Sequence, residues 1–313
     1  VALMADMDKS ISPLKRERLK KSFYKVWKTG QLQQVLTPQD RYRLCCARLY
    51  LRDYSNYAGW EWRDEAGWSS DLYYKEYETP KWGGGYVNRL VVMGEQGIGD
   101  QMMFASILPE CRIRVKEVIY ECDPRLHELL QRSLGVTCRT IRESGISTDG
   151  DAYIPAAELM RMFRRRPGDF PRRAYLKPDP ERVLGFARFQ GRTGVSWRGR
   201  QGFIDPRRIG IGGVNLQYDA LDEAFEEPGI DLRNDVEGVV ALCAVLDKVV
   251  CVPTSVMHFA GAVGAKVEVI EPEVPGEVIN QVRWDSPPGD SAWYPKAHVY
   301  RSIEEWKAAK PIS

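Results

Sequence analysis

The spacing of hydrophobic positions changes near residue 89, and the change divides the chain. Before it the pattern is helical and rather polar. Leu19, Phe23 and Val26 keep a helical spacing through the basic stretch from Lys15 to Lys28. Tyr42, Cys45, Cys46 and Leu49 repeat at i, i+3, i+4 and i+7, the stripe of an amphipathic helix. Thr37-Pro38-Gln39-Asp40 reads as that helix's start: Thr37 caps, Pro38 suits the first helical position, and Asp40 favours the positive end of the dipole. Tyr54 to Tyr77 is dense in Trp and Tyr and is expected to pack on the next domain, with Trp82-Gly83-Gly84-Gly85 as a linker.

From Arg89 short apolar runs alternate with helical stretches. Leu90 to Met93 predicts a buried strand, Gln101 to Leu108 a helix, Val118 to Tyr120 a strand, and Pro124 to Leu134 a helix. A second set begins after Pro180. Its strands are Gly194 to Trp197, Val214 to Leu216, Val249 to Val252 and Val267 to Ile270. Its helices are Val236 to Leu246 and Ser255 to Val263, and a last helix opens on the capping box Ser302-x-x-Glu305. Alternating β and α predicts parallel sheets covered by helices. Two such units in tandem set two carboxyl edges against each other, the edges at which open α/β sheets bind ligands.

The chain's 313 residues suit about two domains of roughly 100–200 residues each. Hydrophobic residues at 43% and charged residues at 28% are those of a packed protein. Lys and Arg total 45 against 43 Asp and Glu, so attraction to a polyanion has to come from a local patch. Seven cysteines without a C-x-x-C read as reduced thiols, and three histidines far apart give little support to a zinc site. No apolar run approaches the roughly 18 residues of a membrane span, and the N-terminus lacks the pattern of a signal peptide. The expectation is a cytoplasmic protein.

Four stretches carry candidate chemistry. Gly94-Glu95-Gln96-Gly97-Ile98-Gly99-Asp100 lies between a strand and a helix, where glycines permit close approach and helix N–H groups face an anion. The spacing is neither G-x-G-x-x-G nor Walker-type. Asp100 either caps the helix or accepts a proton from a hydroxyl. Pro253-Thr254-Ser255-Val256-Met257-His258 is a second strand-to-helix turn. Thr254 caps it, and the N–H groups of Ser255 and Val256 form a pyrophosphate site. His258, four residues on, either donates to a phosphate or sugar oxygen or is a core histidine satisfied by a carbonyl. Trp197-Arg198-Gly199-Arg200, with Arg207 and Arg208, is either a cationic loop for phosphate or a solvated one. Arg161, Arg164, Arg165, Arg166, Arg172 and Arg173, interleaved with Phe163 and Phe170, are either a patch for an acidic acceptor or plain surface.

The glycine turn with Gln101, Phe104 and Pro109 resembles the opening of the heptosyltransferase-like glycosyltransferases, above all bacterial proteins in which that domain follows tetratricopeptide repeats. The resemblance continues through Gly194-Val195-Ser196-Trp197-x-Gly199, Leu246-Asp247-x-Val249-Val250, Thr254-Ser255-x-x-His258-x-Ala260-Gly261-Ala262-x-Gly264 and Ser291-x-Trp293-Tyr294-Pro295. Asp53-Tyr54 to Arg63 resembles the last repeat helix.

The resemblance implies a GT-B fold, two Rossmann-like doubly wound domains facing a cleft, with a helical N-terminal extension. The expected parts are an extension over 1–82, an acceptor domain over 83–185, a nucleotide-sugar domain over 186–290, and a C-terminal helix over 291–313 packing back on the acceptor domain. It also implies inverting, metal-independent transfer from a nucleotide-sugar, with no cofactor. Asp100 would be the base, with Arg198 and His258 beside the leaving diphosphate. Trp197, Gly199, Thr254 and Ser255 would then face the donor; on residue chemistry Gly97, Gly99, Arg200, Arg208 and Val256 are added to that donor set, and Gln96, Arg164, Arg165 and Arg166 are assigned to the acceptor. That acceptor is a glycan, or a modified base in nucleic acid as in phage DNA. Pro253 and the stretch 278–284 depart from the family pattern, which leaves a second reading, an inactive GT-B module that binds a nucleotide or sugar.

Overall fold

The computed structural model describes residues 79–94, 97–140, 150–199, 202–219, 222–272 and 289–309. The helical readings before residue 79, and those at Gln96, Arg200 and 278–284, lie outside the described residues.

The first unit is a parallel sheet of four strands, β1 (Val87–Met93), β2 (Val115–Cys122), β3 (Thr137–Thr140) and β4 (Ala152–Pro155), in the order β3-β2-β1-β4. The run from Leu90 to Met93 is central and fully buried, as a strand with a neighbour on each side demands. Helix α1 (Ile98–Ala105) follows β1, α2 (Leu108–Cys111) precedes β2, α3 (His127–Leu134) follows β2, and α4 (Leu159–Phe163) follows β4. The stretch expected to be a linker is anchored instead. Lys81 bridges to Tyr153, Trp82 is buried, and its indole N–H donates to the carbonyl of Gly85 at 2.8 Å.

The second unit starts with α5 (Pro180–Gly185) and β5 (Thr193–Ser196). A two-stranded ribbon, β6 (Arg198–Gly199) with β7 (Gly202–Phe203), leads to α6 (Pro206–Ile209). Then come β8 (Gly213–Asn215), β9 (Phe225–Glu226), α7 (Val236–Val245), β10 (Lys248–Cys251), α8 (Ser255–Ala262), β11 (Lys266–Ile270), β12 (Gly289–Asp290), β13 (Ala297–Tyr300) and α9 (Ile303–Ala308). The sheet order is β12-β13-β11-β10-β5-β8-β9, parallel except for β12. Read from β9, the six parallel strands take the order 3-2-1-4-5-6 of a doubly wound nucleotide-binding sheet. The direction of winding reverses between β5 and β10, and in the first unit between β1 and β4.

One hydrophobic core runs through both units. It joins Leu90, Val92 and Tyr120 of the first sheet to Val249, Val267 and Val269 of the second through buried residues of α1, α2, α3, α7 and α8. The alternate strand positions Val195, Val250 and Ile270 face a smaller core on the outer side of the second sheet, closed by Ile209 of α6 and Ile303 and Trp306 of α9. The terminal helix therefore packs on the second unit, correcting the expectation that it returns to the first. Trp306 donates to Glu268 at 2.8 Å and secures it there. What returns is the turn before β13, where Trp293 sits edge-on to Phe104 and Phe170 with centroids 6.2 and 4.9 Å away.

Candidate functional site

The turns leaving β1, β5, β8 and β10 meet at one cavity of about 540 Å³ between the two units. Its walls are Gly97 to Asp100, Ser196, Arg198 and Gly199, Leu216 to Asp219, and Pro253 to Val256 with His258. In the second unit this is the reversal point between β5 and β10, where the topology itself leaves a crevice.

The first turn of α1 enters from one side. Gly97 is its N-cap, in extended conformation, and the Asp100 carboxylate Oδ2 accepts the Gly97 N–H at 3.0 Å. Asp100 is buried at 4% exposure, yet lines the cavity. It closes the turn of its own helix and it borders the cavity. Gln101 ties this helix to the sheet, its Oε1 accepting the Asp123 N–H at 2.8 Å and its carbonyl accepting the Tyr120 hydroxyl.

The first turn of α8 enters from the other side. The Thr254 hydroxyl oxygen accepts the Val256 N–H at 3.2 Å, as an N-cap should. That N–H is therefore used inside the turn, which corrects the expectation that it points at a ligand; Val256 lines the cavity all the same. Helices α1 and α8 touch where Gly99 has no side chain. A Cβ there would stand 2.7 Å from His258 Cδ2 and 3.1 Å from the Ser255 Cα. Gly199 permits a second close approach, since a Cβ on it would stand 2.8 Å from the Pro253 carbonyl oxygen and 2.9 Å from Thr254 Cγ2.

His258 is 2% exposed, with Nδ1 2.8 Å from the Tyr294 hydroxyl. It is thus a buried histidine bonded to a phenol, and it also lines the cavity. Arg198 is half exposed and is the Lys or Arg side chain of this wall among the described residues. Its backbone N–H donates to Gln217 Oε1 at 3.0 Å, and its guanidinium stands 3.9 Å from Asp219.

Several residues expected here are elsewhere. Trp197 is 4% exposed and stacks on Phe225 at 4.8 Å in the outer core, because it shares the face of Val195 two positions earlier. Arg208 is paired with Glu304 of the terminal helix at 2.6 Å and does not line the cavity. Arg164 is fully buried and bound to both oxygens of Glu110, at 2.8 and 2.5 Å, with its guanidinium 5.6 Å from the Phe170 ring. Arg166 lies on the surface beside Asp169, and the Arg165 N–H and guanidinium bond to Asp169 and to the carbonyl of Arg161. A patch whose central arginine is neutralised in the interior is not a continuous cationic surface.

The sequence reading missed the turn after β8. There the buried Gln217 accepts the Ser196 hydroxyl on Oε1 at 3.1 Å, and its backbone N–H donates to Asn215 Oδ1 at 2.7 Å. It also missed Tyr294 as the partner of His258. The signal for the first was a strand followed by polar Gln217-Tyr218-Asp219, and its use depends on a strand order that is not local.

No family model matches the chain. Protein FlbA of Caulobacter vibrioides is 26% identical over 231 residues, 57% of this chain and 38% of FlbA, so the chain spans well under half of that relative. Among solved structures it is similar to the glycosyl transferase family 9 protein of Veillonella parvula, with a TM-score of 0.45, 9% identity, and coverage of 75% of this chain and 94% of that one. It is similar to the ADP-heptose LPS heptosyltransferase II of E. coli, with a TM-score of 0.45, 12% identity, and coverage of 70% and 98%. A third is TibC, the iron-containing dodecameric glycosyltransferase of enterotoxigenic E. coli, with a TM-score of 0.42, 10% identity, and coverage of 62% and 59%. Among the described residues no helix is long and apolar enough to cross a membrane.

Proposed function

We propose that the chain is a glycosyltransferase that moves a sugar from a nucleotide-sugar to a hydroxyl acceptor with inversion and without a metal. The observation that carries the reading is the cavity in which the first turns of α1 and α8 meet, with Arg198 on its wall. The reversal point of the second unit suits the nucleotide, and the α8 turn suits its diphosphate. Arg198 would offset negative charge growing on the leaving group.

In the reaction the acceptor oxygen forms a bond to the anomeric carbon as the bond from that carbon to the diphosphate breaks. The electron pair of the broken bond leaves with the diphosphate, and the hydroxyl proton passes to the Asp100 carboxylate. A well-placed base contributes about 10²–10⁴-fold. Asp100→Asn keeps an oxygen for the Gly97 N–H and loses the basic carboxylate. The expected result is turnover lower by about that factor with donor affinity unchanged. Equal turnover would remove Asp100 from the mechanism.

The donor is found by thermal shift against UDP-, GDP-, ADP-, TDP- and CMP-linked sugars, since a ligand at about a hundred times its dissociation constant adds about 2.7 kcal/mol. The acceptor is proposed only as a hydroxyl compound. A nucleic-acid acceptor would need the arginine patch, and Arg164 is not available to it. One observation favours the second reading, a binding module without activity: the Asp100 carboxylate already closes its own helix turn. A donor that binds and never releases free nucleotide would select that reading.

A further inference from the structure

Tyr218 stands 54% exposed on the cavity wall and has no part in the proposed transfer. Tyr86, Ile113, Leu184 and Phe203 are the other exposed large apolar side chains among the described residues, and none of them lines this cavity. The turn that carries Tyr218 is pinned on both sides. One residue earlier, the Gln217 backbone N–H donates to Asn215 Oδ1 at 2.7 Å, and the Gln217 side chain donates to the Asp219 carboxylate one residue later. Oε1 of the same glutamine accepts the Ser196 hydroxyl and the Arg198 N–H. Gln217 is buried, so the backbone under Tyr218 is fixed from the interior of the sheet.

The ring itself is held from outside. The Arg233 guanidinium lies over it, 5.6 Å from the centroid, where the ring quadrupole attracts a cation. Arg233 is fixed in turn: its N–H donates to Asp231 Oδ1 at 3.0 Å, and its carbonyl accepts the Arg125 guanidinium of the first unit at 2.7 Å. A ring has two faces, and Arg233 covers one. Phosphate oxygens are met by N–H groups and cations, which the cavity offers at the α8 turn and at Arg198. A nucleobase is met by a flat apolar surface. Among the lining residues the aromatic rings are Tyr218 and the buried imidazole of His258, so the exposed surface of that kind is Tyr218.

We infer that Tyr218 is the platform on which the donor's nucleobase stacks, with Arg233 backing the ring from the other face. The base lies flat at the cavity mouth beside Arg198, and the diphosphate lies toward the first turn of α8. Every base has a π-face, so the platform separates a nucleotide from a bare diphosphate and does not by itself choose the base. The inference rests on the donor-cleft reading, because a cleft that takes no nucleotide has no base to stack.

The test is calorimetry on the full chain as wild type, Tyr218→Phe and Tyr218→Ala. The probes are inorganic pyrophosphate, ADP, GDP, UDP, TDP and CMP. Wild type is expected to bind at least one nucleotide more tightly than pyrophosphate. Tyr218→Phe keeps the ring and should hold that nucleotide within about two-fold, whereas Tyr218→Ala should hold it about five- to a hundred-fold more weakly. Pyrophosphate affinity should be the same in all three proteins, which also shows that the exposed substitution leaves the fold and the α8 turn intact. A Tyr218→Ala protein that keeps its nucleotide affinity, or that loses pyrophosphate in the same proportion, overturns the platform and leaves the donor cleft standing. Wild type that binds pyrophosphate and every nucleotide alike does the same. Wild type that binds none of the probes refutes the donor cleft, and the platform with it.

Discussion

Gly99→Ala puts one methyl group at the contact between the two units. The new Cβ would stand 2.7 Å from His258 Cδ2 and 3.1 Å from the Ser255 Cα. One is a ring held by a buried phenol and the other is backbone, so neither yields as a flexible side chain would. Ordinary carbon contacts lie at about 3.5–4.0 Å, so α1 and α8 must part by close to an ångström or shift along each other. Overpacking of this kind costs about 1–3 kcal/mol. Alanine in place of a helical glycine returns about 0.8–1 kcal/mol of helix propensity. The expected net is a loss of up to about 2 kcal/mol, or a Tm lower by up to about 8 °C at about 2–4 °C per kcal/mol. Gly185→Ala is the control. Gly185 ends α5 with nothing within 4 Å of its Cβ position, so the same change there should be neutral or raise Tm. The assay is thermal unfolding of both variants beside the wild type. A Gly99→Ala protein at least as stable as the Gly185→Ala protein would refute the close contact. Nucleotide affinity should fall with Gly99→Ala, because His258 and Ser255 both border the cavity.

Glu110→Ala strips the partner from a fully buried Arg164 and should cost about 3–5 kcal/mol in urea unfolding, as broken buried pairs do. Arg166→Ala, on the surface, should stay within about 0.5 kcal/mol. If Arg166→Ala lowers retention on DNA at low salt, the patch binds polyanions after all. Hydrogen bonding to Arg125 holds the Asp123 carboxyl below its ordinary value of 3.8. A depressed folded pKa gives stability that is complete above the unfolded value and is lost as pH falls through the folded one. Arg125→Ala should therefore lower Tm at neutral pH and flatten its fall on acidification below about pH 4. An unchanged acid slope would assign the dependence to other carboxylates.

The sequence announced the elements whose signal is local. β1, β10 and β11 are apolar runs, and such runs form central strands wherever they find neighbours. The two strand-to-helix turns were visible because glycine and a capping threonine act within a few residues. β3, with the sequence Thr-Cys-Arg-Thr, and the two-residue β9 were not predicted. Both lie at sheet edges, where one partner and partial exposure leave no apolar run to read. Trp197 was misassigned although its alternation with Val195 already pointed it away from the cleft. Arg164 could not be read locally, because its partner Glu110 stands 54 positions earlier. Gln217 and Asp219 join the cavity only because β8 lies beside β5, a matter of topology.

The junction between the units is fastened at several points. Arg125 donates to the Arg233 carbonyl at 2.7 Å, Arg132 pairs with Glu237 at 2.5 Å, and the N–H groups of Tyr175 and Leu176 both reach the Ala262 carbonyl. With Trp293 wedged beside Phe104 and Phe170, the two halves form one block with a slot in it rather than a pair of jaws. The donor proposed above would enter past the exposed side chains of Arg198 and Tyr218. Entry and exit would then be timed by those side chains rather than by a swing of either half.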